Sequence, residues 1–363
     1  MRGSTTLHDR AVGLHEQAVA ALDAGDPRRA HRLAERALAL LRRAVPAHHP
    51  DVANVELLRA QALDALDRAD EAHAALGRAR RIAVRPTRDP DALRLRVQVL
   101  SALGFHLTMR GRYAEARRVL ASALTQAERH LGPRDEDTAN VLNGCGVLGK
   151  YTGRFAEASR AYRRALGILR RLHGDDSPAL ASLYHNLGGL EHARGRFRAG
   201  IAHARRSVAL RRLALPPSHP AVVADEAALA ALLEGAGELA EAERLYRRAI
   251  RLFSRALGER SYEVAVNQAN LAGVLADRGR AAEAERLYRR ALATHRALGG
   301  ESHPDVALAR HNLGVLLTDL GRAREARALL EAALRGFRKL LPASHPKPRA
   351  TRAALARLAR VTR

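Results

Sequence analysis

Tryptophan is absent from this 363-residue chain, and only one cysteine and three lysines (Lys150, Lys339 and Lys347) occur in it. A single cysteine, Cys145, excludes an internal disulfide framework. Aromatic residues make up 3 % of the chain, too few for the interleaved stacking platform that grips single-stranded nucleic acid. No apolar run approaches the length of a membrane span, and the first residues carry no signal-like apolar stretch, so the expected compartment is cytoplasmic. Paired carboxylates, a nucleophile elbow and an H-E-x-x-H helix are all missing. The sequence therefore predicts no enzyme, no cofactor and no metal site.

What is present is alanine, leucine, valine and arginine. Hydrophobic residues reach 47 % with few aromatics, a composition suited to closely packed helices. Formal net charge is +24, from 62 basic against 38 acidic residues, and all but three of the bases are arginine. Such an excess either attracts an anionic partner or reflects arginines that alternate with glutamates on solvated helix faces.

The chain is organised by a period of forty-two residues. Gly111, Gly153, Gly195, Gly237, Gly279 and Gly321 are in phase, and Gly25 and Asp67 anchor two weaker copies upstream. Seven residues before each anchor, and five and twelve after it, only Ala, Gly or Ser occurs. Three all-small columns mark where two helices cross closely. Larger apolar residues fill between them at helical spacing, as in Leu187, Leu229, Leu271 and Leu313. Each repeat thus reads as helix A, a turn at the anchor, then helix B. His-Pro or Ser-Pro pairs (His49-Pro50, Ser177-Pro178, His219-Pro220, His303-Pro304, His345-Pro346) start the next helix A, with Pro in its favoured first position.

A fixed period of this size predicts an all-α, right-handed superhelical solenoid of about eight helix-turn-helix repeats plus a C-terminal capping helix. One solenoid spans 1–363: degenerate repeats at 5–85, regular repeats at 90–342, and a basic capping helix at 346–363. The second repeat departs most, with Arg59 and Arg80 in apolar columns and a longer link at 81–92 where a bend is expected. The final helix places Leu355 and Ala356 on core columns.

These helix pairs resemble tetratricopeptide repeats, and HPDVA, NLG and LYRRAL at this period are similar to the kinesin-light-chain type. The matching segments are Asn143–Leu166, Asn186–Val208, Asn270–Leu292 and His303–Leu334. HEAT repeats have a similar length but lack the all-small columns. The resemblance implies a non-catalytic scaffold whose helix A residues line a concave groove for a protein or peptide partner. Its central, most polar part would be Asn140, Asn143, Lys150, Ser182, His185, Asn186 and His192, continued by Asn270, His311 and Asn312. A two-lysine clamp on a terminal carboxylate, known in some members of that family, has only Lys150 to draw on. The asparagine columns have two readings: they pair with a partner's backbone, or they bond neighbouring helices and shape the solenoid.

Two features imitate chemistry. Gly144 to Lys150 fits G-x-x-x-x-G-K, but Tyr151 follows where Ser or Thr would hold magnesium, and no strand precedes it. Cys145 stands in a leucine column, which predicts a small buried hydrophobe rather than a nucleophile. A second surface comes from arginine pairs on the B helices: Arg163 and Arg164, Arg205 and Arg206, Arg247 and Arg248, Arg289 and Arg290. Together with nine bases and no acid between Ala332 and Arg363, they suggest the alternative of an anion-binding protein acting on nucleic acid or an acidic surface.

Overall fold

The computed structural model describes residues 6–341 and 345–361, so Arg363 and the other terminal positions lie outside it. Seventeen α-helices and no strand occur among the described residues. In chain order the helix pairs are α1 (Leu7–Asp23) and α2 (Pro27–Ala44), α3 (Pro50–Ala65) and α4 (Ala69–Ala83), α5 (Pro90–Met109) and α6 (Tyr113–His130), α7 (Glu136–Tyr151) and α8 (Phe155–His173). They continue with α9 (Ala181–Ala193) and α10 (Phe197–Ala214), α11 (Pro220–Gly235) and α12 (Leu239–Leu257), α13 (Tyr262–Asp277) and α14 (Ala281–Gly299), α15 (Pro304–Asp319) and α16 (Ala323–Leu340). The unpaired α17 (Pro346–Val361) closes the series. The all-α helical repeat read from the forty-two-residue period is what the chain adopts.

Each anchor makes the turn in the left-handed region. The seven anchor glycines have φ between 70° and 84°, and Asp67 takes φ 55° in the same position. Only glycine enters that region without steric cost, which explains why the anchor is glycine in every repeat but the one that carries Asp67. A second punctuation accompanies it: Gly132, Gly174, Gly258 and Gly300 have positive φ at the ends of B helices, while Pro46 and Pro216 stop the chain at the same step elsewhere.

Helix starts use an acceptor that reading the prolines alone did not reveal. His49, His219, His303 and His345 each turn Nδ1 toward the backbone amide two residues on, at 3.2–3.3 Å. The imidazole does the work usually given to Ser or Asp at a helix N-cap. Asp135 does the same with its carboxylate for α7, accepting from the Asp137 amide at 2.8 Å.

Every residue of the three small columns is buried. A larger residue would meet the facing helix: a Cβ on Gly146 would stand 2.3 Å from the Tyr162 ring, and one on Gly104 would stand 2.5 Å from Leu120. Tightly crossed helices in turn bury the aliphatic columns, each large side chain being worth about 1.5–3 kcal/mol when withdrawn from water.

The helices form two compact units, one reaching to Arg194 with Ala209–Leu215, the other made of Gly195–Val208 and the chain from Pro216 onward. In the first, Leu63, Leu76, Leu120, Tyr162 and Leu190 are fully buried. Its longer link at 81–92 is fastened by Arg96, which donates to the carbonyls of Ala83 and Arg85 at 2.8 and 2.6 Å. Arg59 is accommodated by charge: it pairs with Glu35 and Glu56, and Glu56 also accepts from Arg78 at 2.5 Å. In the second unit, Leu232, Leu233, Tyr246 and Phe337 are fully buried.

The closing helix keeps the register of the A helices but buries less of it. Pro348, Thr351 and Leu358, in step with the buried Val306, Ala309 and Leu316 of α15, are its buried residues, Leu355 is half-buried, and Ala356 is exposed. The column of Ala356 is the one that a B helix crosses, and none packs on it among the described residues.

Candidate functional site

The segment imitating a phosphate loop, Gly144–Lys150, lies inside α7, where its amides are engaged in the helix. Cys145 is half-buried against the core of its unit, and burial pushes its thiol up to about 11, which leaves it protonated and inert at neutral pH.

Among the described residues, one trio could hold a metal: ligand atoms of His8, His49 and Asp51 lie within 4.8 Å of one another. Each member already has a structural task. His49 caps α3. His8 reaches Asp51 across a repeat boundary at 2.6 Å, and the same seam is bridged by Arg94 to Asp137 at 2.6 Å and by Tyr262 to Asp305 at 2.9 Å. Three different donor types at one repeat position identify a packing seam rather than a coordination site.

The arginine ridge is largely engaged within the chain. Arg247 pairs with Glu243 and Glu283, Arg248 with Glu226, and Arg289 with Glu285 and Glu325, all between 2.6 and 3.3 Å. Arg205 reaches Glu241 at 3.3 Å and Arg164 reaches Glu128 at 2.6 Å. Arg163 donates to the Ser159 carbonyl, Arg206 is half-buried, and Arg290 is exposed. Burial alone would raise the Glu243 carboxyl, but Arg247, Arg280 and Arg278 hold it below the usual carboxylate range.

The helix A residues of the first unit behave differently. Asn140, Ser182 and His192 are exposed, whereas Asn143, Lys150, His185 and Asn186 are half-buried. Asn186 donates its side-chain amide to Asn143 at 2.8 Å, which joins α9 to α7 and leaves each amide one further group to offer. Ser182 accepts from Arg211 at 3.3 Å. Lys150 pairs with no acid among the described residues; its ammonium lies over the Tyr151 ring, 4.9 Å from the centroid. Burial holds the Lys150 ammonium below its ordinary pKa, and desolvation followed by the Lys150 charge does the same to His192. The ammonium stands across from a glycine: a Cβ on Gly189 would lie 3.6 Å from Lys150 Nζ, an ordinary contact.

In the second unit Asn270, His311 and Asn312 are half-buried. His311 Nδ1 lies 3.1 Å from the Thr351 hydroxyl of α17, which itself donates to the Lys347 carbonyl. The contact ties α17 to α15, whichever of the two groups donates. Asn270 lies beside the Tyr246 hydroxyl and partly offsets the rise that burial imposes on that phenol.

One tetratricopeptide-repeat model matches residues 95–171, 150–213 and 263–339, more than half of the chain, and a second matches 11–51 and 227–263. The chain belongs to the tetratricopeptide-repeat family. Among solved structures, a Rap protein complexed with competence and sporulation factor is similar over 97 % of both chains, with 13 % identity and a TM-score of 0.62. Kinesin-light-chain repeats from Podosopora anserina are 24 % identical over 51 % of this chain and 87 % of theirs, with a TM-score of 0.43. BtubC from P. vanneervenii is 22 % identical over 70 % and 94 %, with a TM-score of 0.45. Comparison with curated proteins gives no match. Among the described residues of this tetratricopeptide-repeat protein, no helix is long and apolar enough to cross a membrane.

Proposed function

We propose that the chain is a non-catalytic scaffold that holds a protein or peptide partner against the helix A faces of its repeats. The observation that carries this reading is the contrast between Lys150 and the B-helix arginines. Most of the ridge arginines have a carboxylate of their own, whereas Lys150 is half-buried, stands across from Gly189, and has no counter-ion among the described residues. An uncompensated cation in such a place gains most from an incoming acceptor. His192, which feels the Lys150 charge, and Asn143, His185 and Asn186 on the same and the next helix A add further donors and acceptors for a polypeptide backbone. The Rap protein of shared fold, solved with a bound factor, is in keeping with a binding role.

The test is capture from native cells with nuclease and moderate salt, by the wild type and by a variant carrying Asn143→Ala, Lys150→Ala and His185→Ala. The expected result is a polypeptide partner kept by the wild type and lost by the variant, with helix content unchanged. Identical partners on both would remove the groove reading.

Anion binding through the ridge is the second reading, favoured by Arg163 and Arg290, which have no carboxylate partner among the described residues. It predicts nuclease-sensitive capture and a steep loss of affinity between low and moderate salt.

A further inference from the structure

The Lys150 arrangement recurs in the second unit with the opposite charge. Glu234 occupies the same repeat position as Lys150, three residues before its anchor, and Gly273 occupies the position of Gly189 in the following helix A. These two glycines are the only ones in their column, and each stands across from the charged residue of the preceding repeat. A Cβ on Gly273 would stand 3.1 Å from Glu234 Oε1 and 3.4 Å from the Tyr288 hydroxyl. The missing side chain thus leaves a space bounded by a carboxylate oxygen and a phenol oxygen.

The walls of that space are built. Tyr246 is fully buried and donates its hydroxyl to Glu234 Oε2 at 3.0 Å, which fixes the carboxylate and leaves Oε1 toward the opening. Tyr288 is only 5 % exposed, and its hydroxyl makes no hydrogen bond among the described residues. Asp277, at the end of α13, adds negative charge nearby. Among the described residues no arginine or lysine answers Glu234, whereas Glu56, Glu226 and Glu243, also withdrawn from solvent, each receive at least one guanidinium. Burial and Asp277 both favour the protonated carboxyl, against the Tyr246 hydrogen bond, and bring Glu234 up to about 7.

We propose that this space is a binding site for a cationic side chain of a polypeptide partner, a lysine ammonium or an arginine guanidinium. Its N–H groups donate to Glu234 Oε1 and to the Tyr288 hydroxyl, and Asp277 supplies the second negative charge. The proposal deepens the scaffold reading and rests on it: the second unit selects a basic residue where the first offers Lys150 to an acceptor. Both oxygens can accept an N–H, and the carboxylate with Asp277 nearby adds an attraction that only a cation gains and that repels an anion.

The experiment uses the full isotopically labelled chain and n-butylguanidinium as probe, with n-butylurea as its neutral counterpart. The Gly273 amide and the Glu234 carboxyl carbon are followed by NMR. We expect saturable shifts with butylguanidinium, much weaker ones with butylurea, and butylguanidinium binding that strengthens as pH rises from 6 to 8 through the Glu234 pKa of about 7. The groups facing Glu234 during that titration are Tyr246, Asp277 and Tyr288; both phenols are held above their ordinary range and stay protonated. Glu234→Gln should weaken binding roughly tenfold, the loss that follows when a charged acceptor becomes neutral. Gly273→Ala should abolish it by filling the space, the carboxylate giving way by a few tenths of an ångström but keeping its charge. Equal response to butylurea, or binding that survives both substitutions in variants of unchanged helix content, would overturn the proposal. The probe needs no partner, so this failure is separate from that of the scaffold reading, which the Lys150 variant decides.

Discussion

Three tyrosines occupy one repeat position, nine residues after the anchor, and their hydroxyls meet three fates. Tyr246 donates to Glu234, Tyr288 opens toward the Gly273 space, and the Tyr162 hydroxyl is buried with no partner among the described residues. An unsatisfied buried hydroxyl costs about 1–3 kcal/mol of desolvation, so Tyr162→Phe should stabilise the protein by about 1 kcal/mol. Chemical denaturation of the two proteins checks this, and a lower midpoint for the variant would show that the hydroxyl has found a partner. The position was legible in the sequence as a large residue on an inward column. Its hydroxyl chemistry was not, because it depends on which residue the facing helix presents: Gly146 across from Tyr162, Glu234 across from Tyr246. Similarly, the column three residues before the anchor marks Lys150 and Glu234 alike as groove positions, while the glycine across from each is not evident from that column. The signal that would have found it is a pairing of two columns, a charge three residues before one anchor with a glycine six before the next.

At the level of the helix and its turns, the period made nearly everything readable. A single forty-two-residue comparison located the helix pairs, the small columns and the closing helix. What it could not show was burial: Ala356 stands on a column that a B helix covers in other repeats, yet it lies in solvent. Nor did it reveal that the linker histidines are caps, since that requires knowing where Nδ1 points. Asp67 is the one described residue other than glycine with positive φ. Its exposed side chain lies 3.3 Å from Arg110, a surface pair that contributes little. Asp67→Gly should therefore raise stability by about 0.5–1 kcal/mol as the strain of the left-handed turn is relieved, less the entropy that glycine gains when unfolded. Thermal melting measures it; an unchanged or lower midpoint would mean that the aspartate sits in its turn without strain.

Across the whole molecule, the ladder of ion pairs between B helices repeats with the chain. In the second unit Arg205 reaches Glu241, Arg247 reaches Glu283 and Arg289 reaches Glu325, always thirty-six residues on. Such a ladder can lose a rung without loose ends. Excising residues 242–283 would remove Arg247 with Glu283, and Glu243 with its donors Arg278 and Arg280, while Arg205 keeps Glu241 and Arg289 keeps Glu325. Tyr288 would then arrive where Tyr246 now stands, opposite Glu234. The shortened chain should fold with the same helix content per residue, as arrays stabilised by nearest neighbours do. In place of Gly273, however, the next helix A would bring Val315. The carboxylate would keep its tyrosine and lose its opening, so the Glu234 carboxyl carbon should cease to respond to butylguanidinium. Length in this protein is thus freely editable in whole repeats, whereas what the surface recognises depends on which two repeats happen to be neighbours.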